Sequence, residues 1–231
     1  MNRFNSVKRV IVCITVTASI FVAAIPCGFA EETVRPEIGR PLEAVSALLK
    51  ANKFNEALTK IREVDGVPNK TAHETYLIES MRGSAASGAG ENATIIKSFE
   101  VVVASGKAPP ATQLKLFEAL AGAYYRGGDY AAAAKWSLRY LREGGSNQKI
   151  RVLLLQSYFQ AGDYANSVRE LLIDIHADEQ ADRTPPEEKI QLLANNYKRL
   201  NNESEYLAAI EKWRKYYPKA SRPADGYFSR P

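Results

Sequence analysis

The residues of this 231-residue chain that could perform catalysis or bind a metal are two histidines, two cysteines and a few clustered acids. His73 and His176 are the only histidines, and they stand far apart in the sequence with no cysteine near either. Metal sites and catalytic triads need several such side chains to converge on one point. The adjacent acids Glu187 and Glu188 begin a helical pattern, where acidic residues are common. The sequence therefore predicts no catalytic residue, no metal site and no cofactor.

Residues 1–30 have the pattern of a secretory signal peptide. An uncharged stretch over residues 10–25 follows three basic residues, Arg3, Lys8 and Arg9. Small residues, Gly28 and Ala30, stand at −3 and −1 of a cut before Glu31. We therefore expect a cleaved leader and a periplasmic protein.

Two other interpretations of the leader stay open. The uncharged run could be an uncleaved inner-membrane anchor, although it is shorter than the ~20 apolar residues that a spanning helix needs. Cys27 could be acylated, as in a lipoprotein, although Pro26 before it fits that signal poorly. Beyond the leader we expect no contact with a membrane.

The net charge bears on whether the protein binds nucleic acid, and the positions of the cysteines bear on whether it contains a disulfide. The chain has 31 basic and 26 acidic residues, a formal charge of +5, and the leader supplies three of the basic residues and no acid. The rest of the chain is nearly balanced, whereas nucleic-acid binders usually carry a basic stripe on the folded domain, so we expect no nucleic acid as partner. Both cysteines, Cys13 and Cys27, lie in the leader, which leaves no thiol for a disulfide in the remaining chain.

An eight-residue segment recurs after 34 residues. Residues 124–131 read YYRGGDYA and residues 158–165 read YFQAGDYA, and five of the eight positions are identical. A helical pattern precedes and follows each segment, with apolar residues at steps of three and four. The repeat therefore predicts helix, tight turn and helix, twice over.

The residue types in the repeated turn suit the end of one helix and the start of the next. Gly128 and Gly162 can adopt the left-handed conformation that ends a helix. Asp129 and Asp163 can accept hydrogen bonds from the free N–H groups of the helix that follows.

These units resemble tetratricopeptide repeats, in which a 34-residue helix pair consists of helix A and helix B. The first copy matches the family pattern at every key position, namely Phe117, Leu120, Ala121, Tyr124, Gly128-Asp129-Tyr130 and Ala133. The second copy matches at Leu154, Tyr158 and Gly162-Asp163-Tyr164. It departs at Arg151, Leu155 and Ser167, where we expect looser helix packing.

Weaker copies flank the two strong ones, over residues 42–64, 71–104 and 186–217. For the last copy we expect a longer turn, over residues 201–205, than the family has. The copy at 71–104 has a first helix rich in small residues, including Gly83 and Gly88, and we expect it to be the least stable element.

The resemblance implies an all-α fold, a right-handed α-solenoid of about five antiparallel helix pairs. The predicted domains are a signal peptide at 1–30, a linker at 31–39, the repeat domain at 40–217 and a tail at 218–231.

The resemblance also implies the function, which is to bind a peptide or protein segment on the concave face lined by the A helices. Family positions map this face onto polar, basic and aromatic residues: Lys115, Glu118, Tyr125, Arg126, Lys149, Gln156, Phe159, Gln160, Gln191, Asn195, Lys198 and Arg199. Arg and aromatic residues are frequent hot spots of binding energy, and amides can pair with a peptide backbone. We therefore expect a non-enzymatic scaffold or adaptor whose partner is an extended segment of acidic or amide character.

Other interpretations of this face and of the function stay open. The inner face could be solvated or filled by the protein's own tail. The protein could be an accessory subunit of a cell-envelope enzyme, such as a cell-wall hydrolase, or a protein that associates with itself.

Overall fold

The computed structural model describes residues 33–218, which are helical throughout apart from turns and short connections. The predicted signal peptide and nearly all of the predicted tail lie outside these residues. The first helix begins at Pro36, inside the segment 31–39 for which the sequence predicts a linker. Proline suits this position because the first turn of a helix needs no N–H donor from it.

Ten α-helices and no strand occur in the described part of the chain. Their bounds are α1 (Pro36–Lys50), α2 (Phe54–Ile61), α3 (Ala72–Ala89), α4 (Asn92–Ala104), α5 (Pro110–Arg126), α6 (Tyr130–Arg142), α7 (Gln148–Gln160), α8 (Tyr164–Gln180), α9 (Glu187–Arg199) and α10 (Glu203–Tyr216). One 3-10 turn, Arg62–Val64, extends α2. Each odd-numbered helix packs against the next even-numbered one, and successive pairs pack against each other. The prediction of an all-α fold with five helix pairs is confirmed.

The turn inside every pair has the same construction. One residue adopts a left-handed conformation, and the next residue donates its backbone N–H to a carbonyl five positions back. This arrangement satisfies carbonyls that would otherwise be unpaired at the end of the first helix. The left-handed residues are Asn52, Gly90, Gly128, Gly162 and Asn201.

The two aspartates of the repeated turn cap the helices that follow them. The Asp129 side chain accepts a hydrogen bond from Ala132 N at 3.0 Å, and Asp163 accepts one from Asn166 N at 3.2 Å. The expectation of a longer last turn was wrong, because α10 already begins at Glu203. Asn201 there takes the left-handed position (φ 54°) that glycine holds in the strong copies, since asparagine tolerates this conformation better than most residues.

The glycines of α3 are positions of close packing. A Cβ atom at Gly83 would lie 2.2 Å from the Phe99 ring of α4, and one at Gly88 would lie 2.3 Å from the Phe54 ring of α2. Both rings therefore pack directly on the backbone of α3. This packing removes the reason for expecting α3 to be the least stable element.

A buried ion pair attaches the beginning of α1 to α3. The Glu74 side chain is fully buried, and its carboxylate accepts hydrogen bonds from Arg35 Nε at 2.8 Å and from Thr71 N at 2.9 Å. The Arg35 guanidinium and the Thr71 amide lower the pKa of Glu74 to about 2. A bidentate arginine and a capping box thus hold one carboxylate.

Candidate functional site

The predicted binding residues lie on helices α5, α7 and α9, and the first two of these pack directly against each other. The contact includes the Glu118 carboxylate, which accepts a hydrogen bond from Asn147 Nδ2 at 2.8 Å. Asn147 also caps α7 by accepting from Lys149 N. Glu118 therefore links α5 to the start of α7, and one of its carboxylate oxygens already has a hydrogen-bond partner within the protein. We call the surface formed by the twelve predicted residues the A-helix face.

The two aromatic residues of the A-helix face are half-buried and equivalent in the 34-residue register. The Tyr125 ring meets the Tyr130 ring edge to face with centroids 5.2 Å apart, and the Phe159 ring meets the Tyr164 ring likewise at 5.5 Å. Burial raises the pKa of Tyr125, so its hydroxyl is a donor at neutral pH. Phe159 also packs against the apolar cluster of α8 to α10. Each ring thus packs against a second aromatic ring and remains partly exposed.

The charged members of the A-helix face are mainly cations. The exposed ones are Lys115, Arg126, Lys149, Lys198 and Arg199. Arg126 donates from Nε to Asn92 Oδ1 at 2.9 Å, so it is tied to the start of α4. Within residues 33–218, Lys115, Lys149 and Arg199 form no ion pair. The face therefore carries positive charge that the described residues do not neutralise.

The amide side chains of the A-helix face differ in whether they already form hydrogen bonds to other described residues. Gln191 donates to Glu187 Oε1 at 3.0 Å, and this same carboxylate oxygen accepts from Trp213 Nε1. Gln156 and Asn195 are half-buried, and Gln160 is exposed. These three side chains make no hydrogen bond to the described residues and could pair with the backbone of a bound segment.

Sequence reasoning did not assign a role to the charged group inside the second strong copy. Arg151 lies between α7 and α8 and pairs with Glu170 at 2.7 Å and with Asp174 at 2.8 Å. Lys189 of α9 extends the network to Asp174 at 3.5 Å. The expectation of looser packing at this copy agrees with the smaller contact between α7 and α8. The sequence did contain a signal for this network. Glu170 and Asp174 stand one turn apart on α8, and Arg151 is a basic residue on the preceding helix.

A groove of about 710 Å³ also escaped sequence reasoning. Most of its lining comes from α6, with additional residues from the end of α7 and the turn before α8. Its alanines and Tyr158 belong to the small and apolar residues around the two repeated turns, and nothing in their sequence pattern marks an open groove. The groove lies on a B helix and is separate from the A-helix face.

Within residues 33–218, no three histidine, cysteine, aspartate or glutamate side chains are grouped so that they could hold a metal ion. In the same part of the chain, no helix is both long and apolar enough to cross a membrane.

Solved structures with the same arrangement of helix pairs are tetratricopeptide-repeat proteins. A structure of MamA AMB-1 superposes with a TM-score of 0.52 at 14% sequence identity, covering 80% of this chain and 93% of that one. The structure described as "YrrB: a TPR protein with an unusual peptide-binding site" superposes with a TM-score of 0.50 at 13% identity, covering 78% of this chain and 86% of that one. No protein-family model and no curated protein matches the sequence. The described residues therefore have the tetratricopeptide-repeat fold.

Proposed function

We propose that this protein is an exported, non-enzymatic interaction module that binds an acidic or amide-rich peptide segment on its A-helix face. The observation that carries the proposal is that Lys115, Lys149 and Arg199, which form no ion pair within residues 33–218, share this face with two half-buried aromatic rings. An extended acidic segment would neutralise the lysines and place apolar side chains against the rings.

Two further observations support this proposal. The solved structure of YrrB, which has the same fold, is described as having an unusual peptide-binding site. The amides of Gln156, Gln160 and Asn195 remain available for hydrogen bonds to a peptide backbone.

The test of binding is a quantitative pull-down from cell-envelope extracts with leaderless protein. We expect Lys115→Glu combined with Lys149→Glu to lose the recovered partner, because both side chains are exposed and lie on the A-helix face. Lys50→Glu combined with Arg62→Glu is the matched control, since it makes the same change of charge on the first helix pair. Circular dichroism establishes that both variants fold. Equal partner recovery by both double variants would reject the A-helix face.

Tyr125→Ala tests the aromatic contribution separately. Phe159 is less suitable because it also packs against the apolar cluster of α8 to α10. We expect Tyr125→Ala to weaken partner recovery while leaving the helical circular dichroism signal unchanged.

Export rests on residues 1–30 and needs its own experiment. We expect the protein isolated from cells to begin at Glu31, as measured by intact mass, and to fractionate with the periplasm. A mass that includes the leader, in a membrane fraction, would favour the inner-membrane anchor instead.

A further inference from the structure

The groove on α6 is an apolar channel with charged margins. Its floor is formed by small and aliphatic residues spaced three to four positions apart, Ala131, Ala134 and Leu138. This spacing places them on one side of the helix over about two turns, and the α6 lining continues to Arg142, about three turns from Ala131. Tyr158 and Ala161 from the end of α7 form the opposite wall. Ala134 on the floor is 2% exposed and Tyr158 on the wall is 6% exposed, whereas Leu138 is half-buried and Ala131 is exposed at one end.

The carboxylates at the groove already have partners, whereas two of its cations have no carboxylate partner within residues 33–218. Glu143 pairs with Arg139 at 2.8 Å. Asp163 caps α8 and accepts hydrogen bonds from the backbone N–H and the side-chain amide of Asn166. Lys135 and Arg142 form no ion pair within residues 33–218. The groove therefore presents two positive charges that no carboxylate of the described residues neutralises.

The hydroxyl of Tyr158 is a second, independent feature of the groove. The side chain is more than nine-tenths buried, and within the described part of the chain its hydroxyl makes no hydrogen bond. The hydroxyl oxygen is not among the fully enclosed polar atoms that lack a partner, so it reaches solvent and is available to donate to a bound segment. Burial also raises the pKa of Tyr158, so the hydroxyl is a donor at physiological pH.

The groove does not recur in the next repeat. In the next helix pair, Ala134 and Arg142 correspond to Val168 and His176, whereas Tyr158, four residues before the left-handed Gly162, corresponds to Tyr197, four residues before Asn201. The tyrosine is retained, but a larger floor residue and a histidine replace the alanine and the arginine. Its chemistry thus belongs to this one position in the array and does not follow from the fold.

We infer that the α6 groove is a second binding site, separate from the A-helix face, for an acidic helical peptide segment that carries an apolar side chain. Apolar side chains would cover Ala134 and Leu138, carboxylates would pair with Lys135 and Arg142, and one acceptor would reach the Tyr158 hydroxyl. A segment of about twelve residues would match the length of the groove.

The test uses a fluorescein-labelled peptide of repeating Glu-Glu-Leu-Leu units, with a Lys-Lys-Leu-Leu peptide as the specificity control. Binding to the full-length protein without its leader is measured by fluorescence anisotropy. We expect Lys135→Glu combined with Arg142→Glu to weaken binding of the acidic peptide at least tenfold. Lys115→Glu combined with Lys149→Glu is measured beside it and reports any binding of the same peptide at the A-helix face. Lys50→Glu combined with Arg62→Glu, which lies outside both surfaces, should change binding less than twofold. Tyr158→Phe removes only the hydroxyl and should weaken binding about threefold.

These variants separate failure of this inference from failure of the proposed function. If the acidic peptide depends on Lys115 and Lys149 instead, the A-helix face stands and the α6 site is rejected. Absence of binding to the wild-type protein, or equal binding of both peptides, also overturns the inference. Self-association that Lys135→Glu combined with Arg142→Glu abolishes, measured by sedimentation velocity, would identify a second copy as the occupant and overturn the peptide proposal.

Discussion

The two strong repeats have the same turn but opposite interiors. The first fills the space between its helices with aromatic residues, Phe117, Trp136 and Tyr140. The second places charged residues at the positions exactly 34 later, Arg151, Glu170 and Asp174. In the first, the Phe117 and Trp136 rings stack with centroids 5.6 Å apart. In the second, the Arg151 guanidinium reaches both carboxylates and also the Glu170 carbonyl oxygen at 2.8 Å.

The comparison shows that charged residues that pair with one another can replace aromatic residues at three positions, while the rest of the interior, such as Leu154 and Leu171, stays apolar. The ring stack buries apolar area, which is a net gain. The ion network must first remove charges from water, and it recovers that cost only through its hydrogen bonds. Those bonds raise the pKa of Arg151, although burial opposes them. The smaller contact between α7 and α8 is consistent with an interior of charged groups.

The largest effect should follow from emptying the aromatic interior. Phe117 is fully buried, so Phe117→Ala leaves a cavity between α5 and α6. We expect a loss of about 4 kcal/mol in the free energy of unfolding, measured by urea denaturation. Val152→Ala is the control, since its side chain is 45% exposed and should cost less than ~0.5 kcal/mol. A loss below about 1 kcal/mol for Phe117→Ala would show that the first interior tolerates voids.

The second largest effect should follow from removing one partner of the ion network. Arg151→Leu leaves Glu170 and Asp174 largely buried without their main cation, and we expect a loss of about 3 kcal/mol. The matched control is Arg169→Leu, whose side chain is 59% exposed and whose contact with Glu170 is long, at 4.0 Å. Its expected cost is below ~0.5 kcal/mol. Equal unfolding free energies for the two variants would mean that the network does not stabilise the pair.

The helix pairs and their turns were predictable because the signals are local. The positions of the helix ends follow from a few neighbouring residues, namely Gly128, Gly162 and the aspartates after them. The 34-residue spacing indicates that the helix pairs stack. The positions of the A-helix face followed from the family register, although their binding role is untested. The ion network, the Phe99 ring on Gly83 and the α6 groove depend on which side chains meet across helices. A glycine alone does not reveal whether it provides flexibility or space for a ring, so the sequence did not predict the close packing at α3, whose low stability stays a prediction.

At Asn201 the sequence was not sufficient to predict the turn. Its left-handed conformation equals that of Gly128, but asparagine is also common in loops of every kind. Without a glycine, the sequence suggested a longer turn at 201–205, whereas the structure retains the same turn. Asn52 holds the corresponding position in the first pair.

A moderate effect in the opposite direction should follow from replacing the whole ion network. Arg151→Met combined with Glu170→Met and Asp174→Leu removes all three charges while keeping similar volumes, and Lys189 retains Asp178 at 3.3 Å. We expect stability between unchanged and about 2 kcal/mol higher, because no charge is left without a partner. Urea denaturation of the triple variant beside Arg151→Leu is the measurement. A triple variant as unstable as the single one would show that shape, and not charge, decides this interior.

The smallest effect should come from acidification at the edge of the ion network. It distinguishes the two pairs, because the aromatic interior of the first pair contains no carboxylate that could titrate. The Arg183 guanidinium, aided by Lys189, lowers the pKa of Asp178 below its ordinary value of 3.8. The folded state therefore binds the carboxyl proton more weakly than the unfolded state does. The resulting stabilisation is present at pH values above 3.8 and is lost as the pH falls through the lower, folded value. Because Arg183 is largely exposed, solvent screens the pair, and we expect a contribution of only about 0.5 kcal/mol.

Asp178→Asn should remove this part of the pH dependence of the urea midpoint between neutral pH and acid, while Asp129→Asn, in the turn of the aromatic pair, retains it. Identical pH profiles for wild type and Asp178→Asn would exclude Asp178 from the acid response and leave Arg151 with its two carboxylates as a self-contained unit.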